Sequence, residues 1–472
     1  MKKLPLLLLL CFSPYVAGEG LPDLGDVSQR FISPAQERQI GLQSLLQIRA
    51  SSEFLDDTEV NDYLNDIGGK LVDFSSEPGH RFEFFAINDY SINAFAIPGG
   101  YVGVNVGLML TTQSESELAS VLSHEISHVT QHHYARLLDA QQNNGLISVA
   151  AIVLAILAAR DSSQATEATL AGSQAYAIQK QLDFTRANEQ EADRIGLQLL
   201  EKSGFDTHAM PAFLERLQNA TRVLDGNAPN YLRTHPVTSD RIAEIENRIH
   251  KQPYRLLPDS LDFQLVRTKL IAAQQSPTSA VSHFNDALYT QKFGNPVAQR
   301  YGLVRSLLRN NDIKRATAEL DTLRKQAKNN PMIETLAGQV LRAAKNDQVT
   351  MAFYQDAVQN FPHHRALIYE YVDLLLQKNQ AETAVKLLNN KITNDTNDAK
   401  LYALRARAYT ILGKPLEQHQ ALAYSYYWQG DLRGAAEQLE LAKQAGGNFY
   451  QLSSIESDIH ELREILSEEK KN

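Results

Sequence analysis

Two hydrophobic patterns divide the chain. Up to about residue 250, short strand-like runs alternate with amphipathic helices; beyond it the apolar positions keep helical spacing almost throughout. The run "FEFFAIND" (82–89) is rich in aromatic residues and reads as a buried strand. "AFAIPGGYVGVNVGLM" follows, with turn chemistry at Pro98-Gly99-Gly100 and a Val-rich strand behind it. Ser114 and Glu117 stand in capping-box spacing ahead of apolar Leu118, Val121, Leu122 and Val129, which predicts a helix there. "TRANEQEADRIGLQLL" predicts a second amphipathic helix, and "RLLPDSLD", with Pro258, an interdomain linker.

The later part of the chain repeats. Turn signals fall at Asn311-Asp312, Asn346-Asp347, Asn379-Gln380 and Gly413-Lys414, with starts 35, 33 and 34 residues apart. Small residues (Ala316, Ala352, Ala384, Ala421) follow them, and Pro296, Pro331 and Pro362 are expected to end helices at a similar period. A helix–turn–helix unit of about 34 residues is the tetratricopeptide period, and such units stack into a curved array with a concave binding face. Gly430-Asp431 comes only 17 residues after Gly413, room for one helix rather than a pair, as expected near a capping end.

The N-terminus reads as a secretory leader: Lys2 and Lys3, a short apolar run over 4–12, then small Ala17 and Gly18, with cleavage near Gly18. Cys11 is the only cysteine, and Leu10 before it is too large for a lipoprotein signal, so neither a disulfide nor a lipid anchor is expected in the mature chain. Formal charge is −9, and about −11 without Lys2 and Lys3, which argues against nucleic acid as the main partner. Residues 146–159 form an uncharged run of 14, shorter than the ~20 a membrane-spanning helix needs. It reads as a buried helix or hairpin, or as a segment in peripheral contact with a membrane.

The candidate chemistry lies in "SHEISHVTQHHYAR" (123–136). His124 and His128 are four apart on the predicted helix and project from one face, where two neutral imidazoles can hold Zn²⁺. Glu125 sits beside that position and would take the proton of a metal-polarised water, the H-E-x-x-H arrangement of zinc peptidases. His132 and His133 lie too far along a straight helix to share the site, and read as ordinary polar helix residues. Some 65 residues on, Glu189 and Asp193 are again four apart. Glu189 can supply a carboxylate to the metal, and Asp193 can accept a hydrogen bond from a ligating imidazole. Glu191 is expected to point elsewhere, into solvent.

"HEISH" followed by "NEQEAD" resembles the zinc metallopeptidase family that includes heat-shock membrane proteases, mitochondrial Oma-type proteases and the CAAX prenyl endopeptidases. "NAFAIPGGYVGVN" is similar to that family's strand–turn–strand beside the active site. The resemblance implies one Zn²⁺ per chain with Glu189 as third ligand. With a leader and C-terminal repeats, it further implies a periplasmic endopeptidase. Such an enzyme would act on misfolded or stalled outer-membrane proteins and engage the barrel assembly machinery. A strand near Tyr101 could pair with an extended substrate. His235, in a Thr-His-Pro like one that recurs in the family, could reach the site, stabilising the oxyanion or occupying the open metal position, or could simply cap a helix. The expected fold is mainly α: an α+β zincin-like metallopeptidase domain (27–255) after a leader (1–18), then an α-solenoid of repeats (262–472). A rival reading is a non-proteolytic chaperone or adaptor, against which the intact set His124, Glu125, His128 and Glu189 speaks.

Overall fold

A computed structural model describes residues 33–136, 186–223, 229–250, 257–290, 294–393 and 396–469; the expected leader, Cys11 and the apolar run 146–159 lie outside them. Helices α1 (Pro34–Ala50) and α2 (Thr58–Val72) precede a sheet of β1 (Glu83–Ile87), β2 (Ala94–Ile97) and β3 (Tyr101–Asn105). The strand order is β1-β3-β2, with β3 parallel to β1 and antiparallel to β2. Gly99 and Gly100, at φ 82° and 92°, make the tight β2–β3 turn that a side chain would strain. Then come α3 (Val106–Thr111), α4 (Glu115–Thr130), α5 (Arg186–Lys202), α6 (Ala209–Val223), α7 (Asn230–Thr234) and α8 (Ser239–Ile249).

β3 is the central strand, so the expectation that the chain near Tyr101 pairs with substrate is corrected: both its edges are used. The outer edge of β1 is also occupied. Asn65 Oδ1 accepts from the Phe84 amide at 3.0 Å, and Asn61 Oδ1 accepts from the Ala86 amide at 2.8 Å. The outer edge of β2 faces the α4 side of the sheet, where the Tyr134 hydroxyl donates to the Ala96 carbonyl.

α4 is a core helix. Every residue from Ser116 to Thr130 is buried, and it packs on α2, β2, α5 and α6. The Ser114 hydroxyl caps it, accepting from the Glu117 amide at 3.2 Å. The return half of the expected capping box is replaced: Glu117 accepts from the Gln113 amide at 2.6 Å and from Arg216 at 2.7 Å. Ser123 and Ser127 keep their hydroxyls satisfied inside the helix, donating to the carbonyls of Ser120 and Ser123. Small side chains thus let polar residues enter the core without stranded donors.

Six helix pairs follow among the described residues: α9 (Leu261–Gln274) with α10 (Pro277–Thr290), α11 (Pro296–Arg309) with α12 (Ile313–Gln326), α13 (Pro331–Ala343) with α14 (Asp347–Asn360), α15 (Arg365–Gln377) with α16 (Ala381–Lys391), α17 (Ala399–Ile411) with α18 (Pro415–Gln429), and α19 (Leu432–Gln444) with α20 (Phe449–Glu469). The period is cleaner in the backbone than in the turn dipeptides. Asn311, Lys345, Asn379 and Gly413 take left-handed φ of 58°, 59°, 59° and 64°, each 34 residues after the last. Two expectations are corrected. Pro296 and Pro331 start helices, where a missing N–H costs nothing, rather than ending them. Gly430 joins two pairs rather than closing the array, because α19 and α20 form one more pair beyond it. Its φ of 85° and the Leu46 carbonyl, 2.0 Å from where a Cβ would sit, both require glycine.

The array touches the first part of the chain at its start, middle and end. Lys269 on α9 pairs with Asp57 at 2.6 Å and Glu59 at 2.7 Å. His364 lies 3.3 Å from Glu59, and Arg365 pairs with Asp62. Arg49 pairs with Glu83 and donates to the Trp428 carbonyl at 3.1 Å. Between these contacts lies a cavity of about 1120 Å³, lined by α1, α2, β1 and the array. The apolar core runs unbroken from Val60 on α2 to Val340 on α13.

Candidate metal centre

Four-residue spacing on α4 and α5 puts two pairs of polar side chains on facing surfaces. The helices cross at Gly196, where a Cβ would stand 3.1 Å from the His124 amide; the missing side chain lets α5 come close. His124, Glu125, His128, Glu189, Asp193 and His235 are all buried. His235 arrives from the chain just after α7, with its ring 4.9 Å from that of Tyr231.

The donor atoms converge. His124 Nε2 is 3.0 Å from His128 Nε2 and 3.3 Å from His235 Nδ1. Glu189 Oε1 is 3.5 Å from His128 Nε2 and 3.0 Å from His235 Nδ1. Four ligands about 2.0–2.1 Å from one tetrahedral ion stand about 3.3–3.4 Å from each other. These distances scatter around that value, so the residues fit a tetrahedral metal. Among the described residues no other such convergence occurs. Glu125 Oε1 is buried without a hydrogen bond and faces His235 Nε2 at 3.5 Å.

The shell behind these atoms fixes them. His124 Nδ1 lies 3.0 Å from Asp193 Oδ1. Arg241 donates to both Asp193 oxygens, at 2.7 and 2.8 Å, and pairs with Glu189 Oε2 at 2.8 Å. Burial opposes charge on Asp193 and Glu189, but the facing imidazoles, with Arg241 at Asp193, outweigh it and hold both below the usual carboxylate range. Burial likewise opposes charge on His124, yet Asp193 and Glu189 lift it to about 10. Burial and the neighbouring His124 push His128 well down, keeping it neutral.

The segment after α4 departs from the expectation of a straight helix. α4 ends at Thr130, and His132 takes φ 49°. His132 turns from the centre to ion pairs with Glu37 at 3.5 Å and Glu77 at 3.2 Å. His133 folds back, fully buried, with Nδ1 2.8 Å from His128 Nδ1. Neither is an ordinary polar helix residue. Glu191 is not simply solvated either: it lies 3.3 Å from His133 Nε2 and 3.0 Å from Arg136. Burial, then Arg136, pushes His133 down to about 4. Sequence reasoning missed Arg241, His133 and Glu191. Arg241, six residues after His235, is the one a search for buried countercharges could have found.

The profile of peptidase family M48 matches residues 58–249. A beta-barrel assembly-enhancing protease of Shigella flexneri is 32% identical over 453 residues, covering 95% of this chain and 92% of the relative. One of Yersinia pestis is 32% identical over 416 residues, covering 88% of this chain and 85% of the relative. The mitochondrial metalloendopeptidase OMA1 of Schizosaccharomyces pombe is 31% identical over 184 residues, covering 39% of this chain and 51% of the relative.

Proposed function

The chain belongs to peptidase family M48 and is a metalloendopeptidase, and from this premise we propose a zinc-dependent endopeptidase of the periplasm that clears stalled or misassembled outer-membrane proteins. In this reading residues 27–255 carry catalysis, and the array over 262–472 presents clients and components of the barrel assembly machinery. No helix among the described residues is long and apolar enough to cross a membrane.

The convergence of His124, His128 and Glu189 donors carries this reading. These three would hold the ion, which when bound polarises a water and the scissile carbonyl. Glu125 accepts the proton from that water. Asp193 holds the Nδ1 proton of His124, leaving Nε2 free to ligate, and Arg241 holds Asp193 and Glu189 in place. An extended client would add to the outer edge of β2, next to α4, displacing the Tyr134 hydroxyl from the Ala96 carbonyl.

His235 acts as a latch in this account. Its Nδ1 takes the fourth donor position and its Nε2 faces the proposed base, so a client must displace it. Zinc content and casein cleavage of purified wild type, Glu125→Gln and His235→Ala test the reading. All three should carry one zinc. Glu125→Gln should lose about 10²- to 10⁴-fold in cleavage, the usual worth of a general base, and His235→Ala should cleave faster than wild type. Zinc-free wild type would sink the ligand set. Slower cleavage by His235→Ala would turn His235 from a latch into an oxyanion-stabilising group.

A further inference from the structure

The two histidines of the motif are backed differently. His124 is backed directly by a carboxylate, Asp193 at 3.0 Å. His128 is backed by another imidazole: its Nδ1 lies 2.8 Å from His133 Nδ1, in a fully buried contact. Two N–H groups, or two lone pairs, would repel at that separation, so one ring donates and the other accepts. If His128 Nε2 keeps its lone pair for a metal, its proton sits on Nδ1 and His133 Nδ1 must accept. The proton of His133 is then on Nε2, which needs an acceptor and has one in Glu191 Oε2 at 3.3 Å. Arg136 Nη1, 3.0 Å from the same oxygen, holds that carboxylate. One proton arrangement satisfies every member of the chain.

We propose that His133 is a positioning residue that fixes the tautomer and ring plane of His128 for metal binding, with Glu191 anchoring its far end. The inference rests on the reading of His128 as a ligand. The backing differs for an electrostatic reason. Glu125, Glu189 and Asp193 already bring three carboxylates to a centre with one buried arginine, Arg241. A fourth carboxylate against His128 would add further buried negative charge. A neutral imidazole passes the hydrogen bond outward instead, to a carboxylate at the edge of the site. His133 reaches this place because α4 stops at Thr130 and His132 takes a left-handed turn.

The test is zinc affinity, measured by competition with a chromophoric chelator, for wild type, His128→Ala, His133→Phe, His133→Gln and Glu191→Ala. Melting of the metal-free forms serves as the control for folding. Phe keeps the ring but cannot accept from His128; the Gln amide can accept from His128 and donate toward Glu191. His133→Phe should lose about 10- to 100-fold in zinc affinity, the usual effect of removing a ligand's hydrogen-bond partner. His133→Gln should stay close to wild type, and Glu191→Ala should fall between them. The proposal is overturned if His133→Phe binds zinc like wild type while His128→Ala does not, or if the Gln variant is as weak as the Phe one. Equal binding by His128→Ala and wild type would instead remove the ligand reading beneath it. If the added bulk prevents His133→Phe from folding, Glu191→Ala, at a half-buried position, still distinguishes the outcomes, because unchanged affinity there contradicts the anchoring role.

Discussion

The centre and the repeat array solve opposite packing problems. α4 buries serines, histidines and two glutamates along almost its whole length, and each polar group needs its own surroundings. The array buries alanines, leucines and tyrosines in a pattern that returns every 34 residues, and no single contact defines it. In the centre, order comes from specific hydrogen bonds, so one lost atom matters. In the array it comes from volume, shared among neighbours. The two should therefore fail separately: damage to the array should cost stability, and damage to the centre should cost metal.

The largest effect on stability expected of a single change is in the array. Leu375, 1% exposed in the core between α15 and its neighbours, loses its packing in Leu375→Ala. Unfolding should become easier by about 2–5 kcal/mol. Denaturant titration reads that loss, while zinc affinity of the folded protein should stay as in wild type. A matching fall in zinc affinity would break the separation.

The converse change is smaller. Asp193→Asn keeps the size of the group behind His124 but gives up its charge toward Arg241. Zinc affinity should fall by about 10- to 100-fold. An Asn variant that binds zinc normally would assign Asp193 to structure alone.

The smallest effect lies where the two regions meet. Glu59 is buried, and although burial opposes its charge, Lys269 and His364 hold it at about 2, against an ordinary 4.5. A carboxyl depressed in the folded state stabilises above its unfolded value, and that gain is lost as pH falls through the folded one. The contact is therefore intact at pH 7, and on the order of 1 kcal/mol is lost by pH 4. The stability gap between wild type and Glu59→Gln should shrink between those pH values. A constant gap would show that the contribution of Glu59 is not electrostatic.

What the sequence revealed follows from the range of each interaction. Four-residue spacing placed His124 and His128 on one helix face, and Glu189 and Asp193 on another. The 34-residue period showed the array, although the left-handed residues keep it more strictly than the dipeptides that signalled it, with Lys345, one residue before the Asn346-Asp347 signal, taking the left-handed position. The outer position of β2 was hidden because strand order is not local, and the visible Val-rich strand proved to be the middle one. His133 was hidden because five residues from His128 is out of phase on a continuous helix; only the end of α4 at Thr130 brings it back. The pairing of Arg365 with Asp62 spans 303 residues, with no nearby pattern to announce it.

The ligand set is the central claim, and diffraction from crystals of wild-type protein, collected on both sides of the zinc absorption edge, tests it most directly. A single anomalous peak should lie about 2.0–2.2 Å from His124 Nε2, His128 Nε2 and a Glu189 carboxylate oxygen, with His235 Nδ1 at the fourth position in the resting state. A peak beside His132 and Glu77, or coordination that leaves out Glu189, would contradict the account.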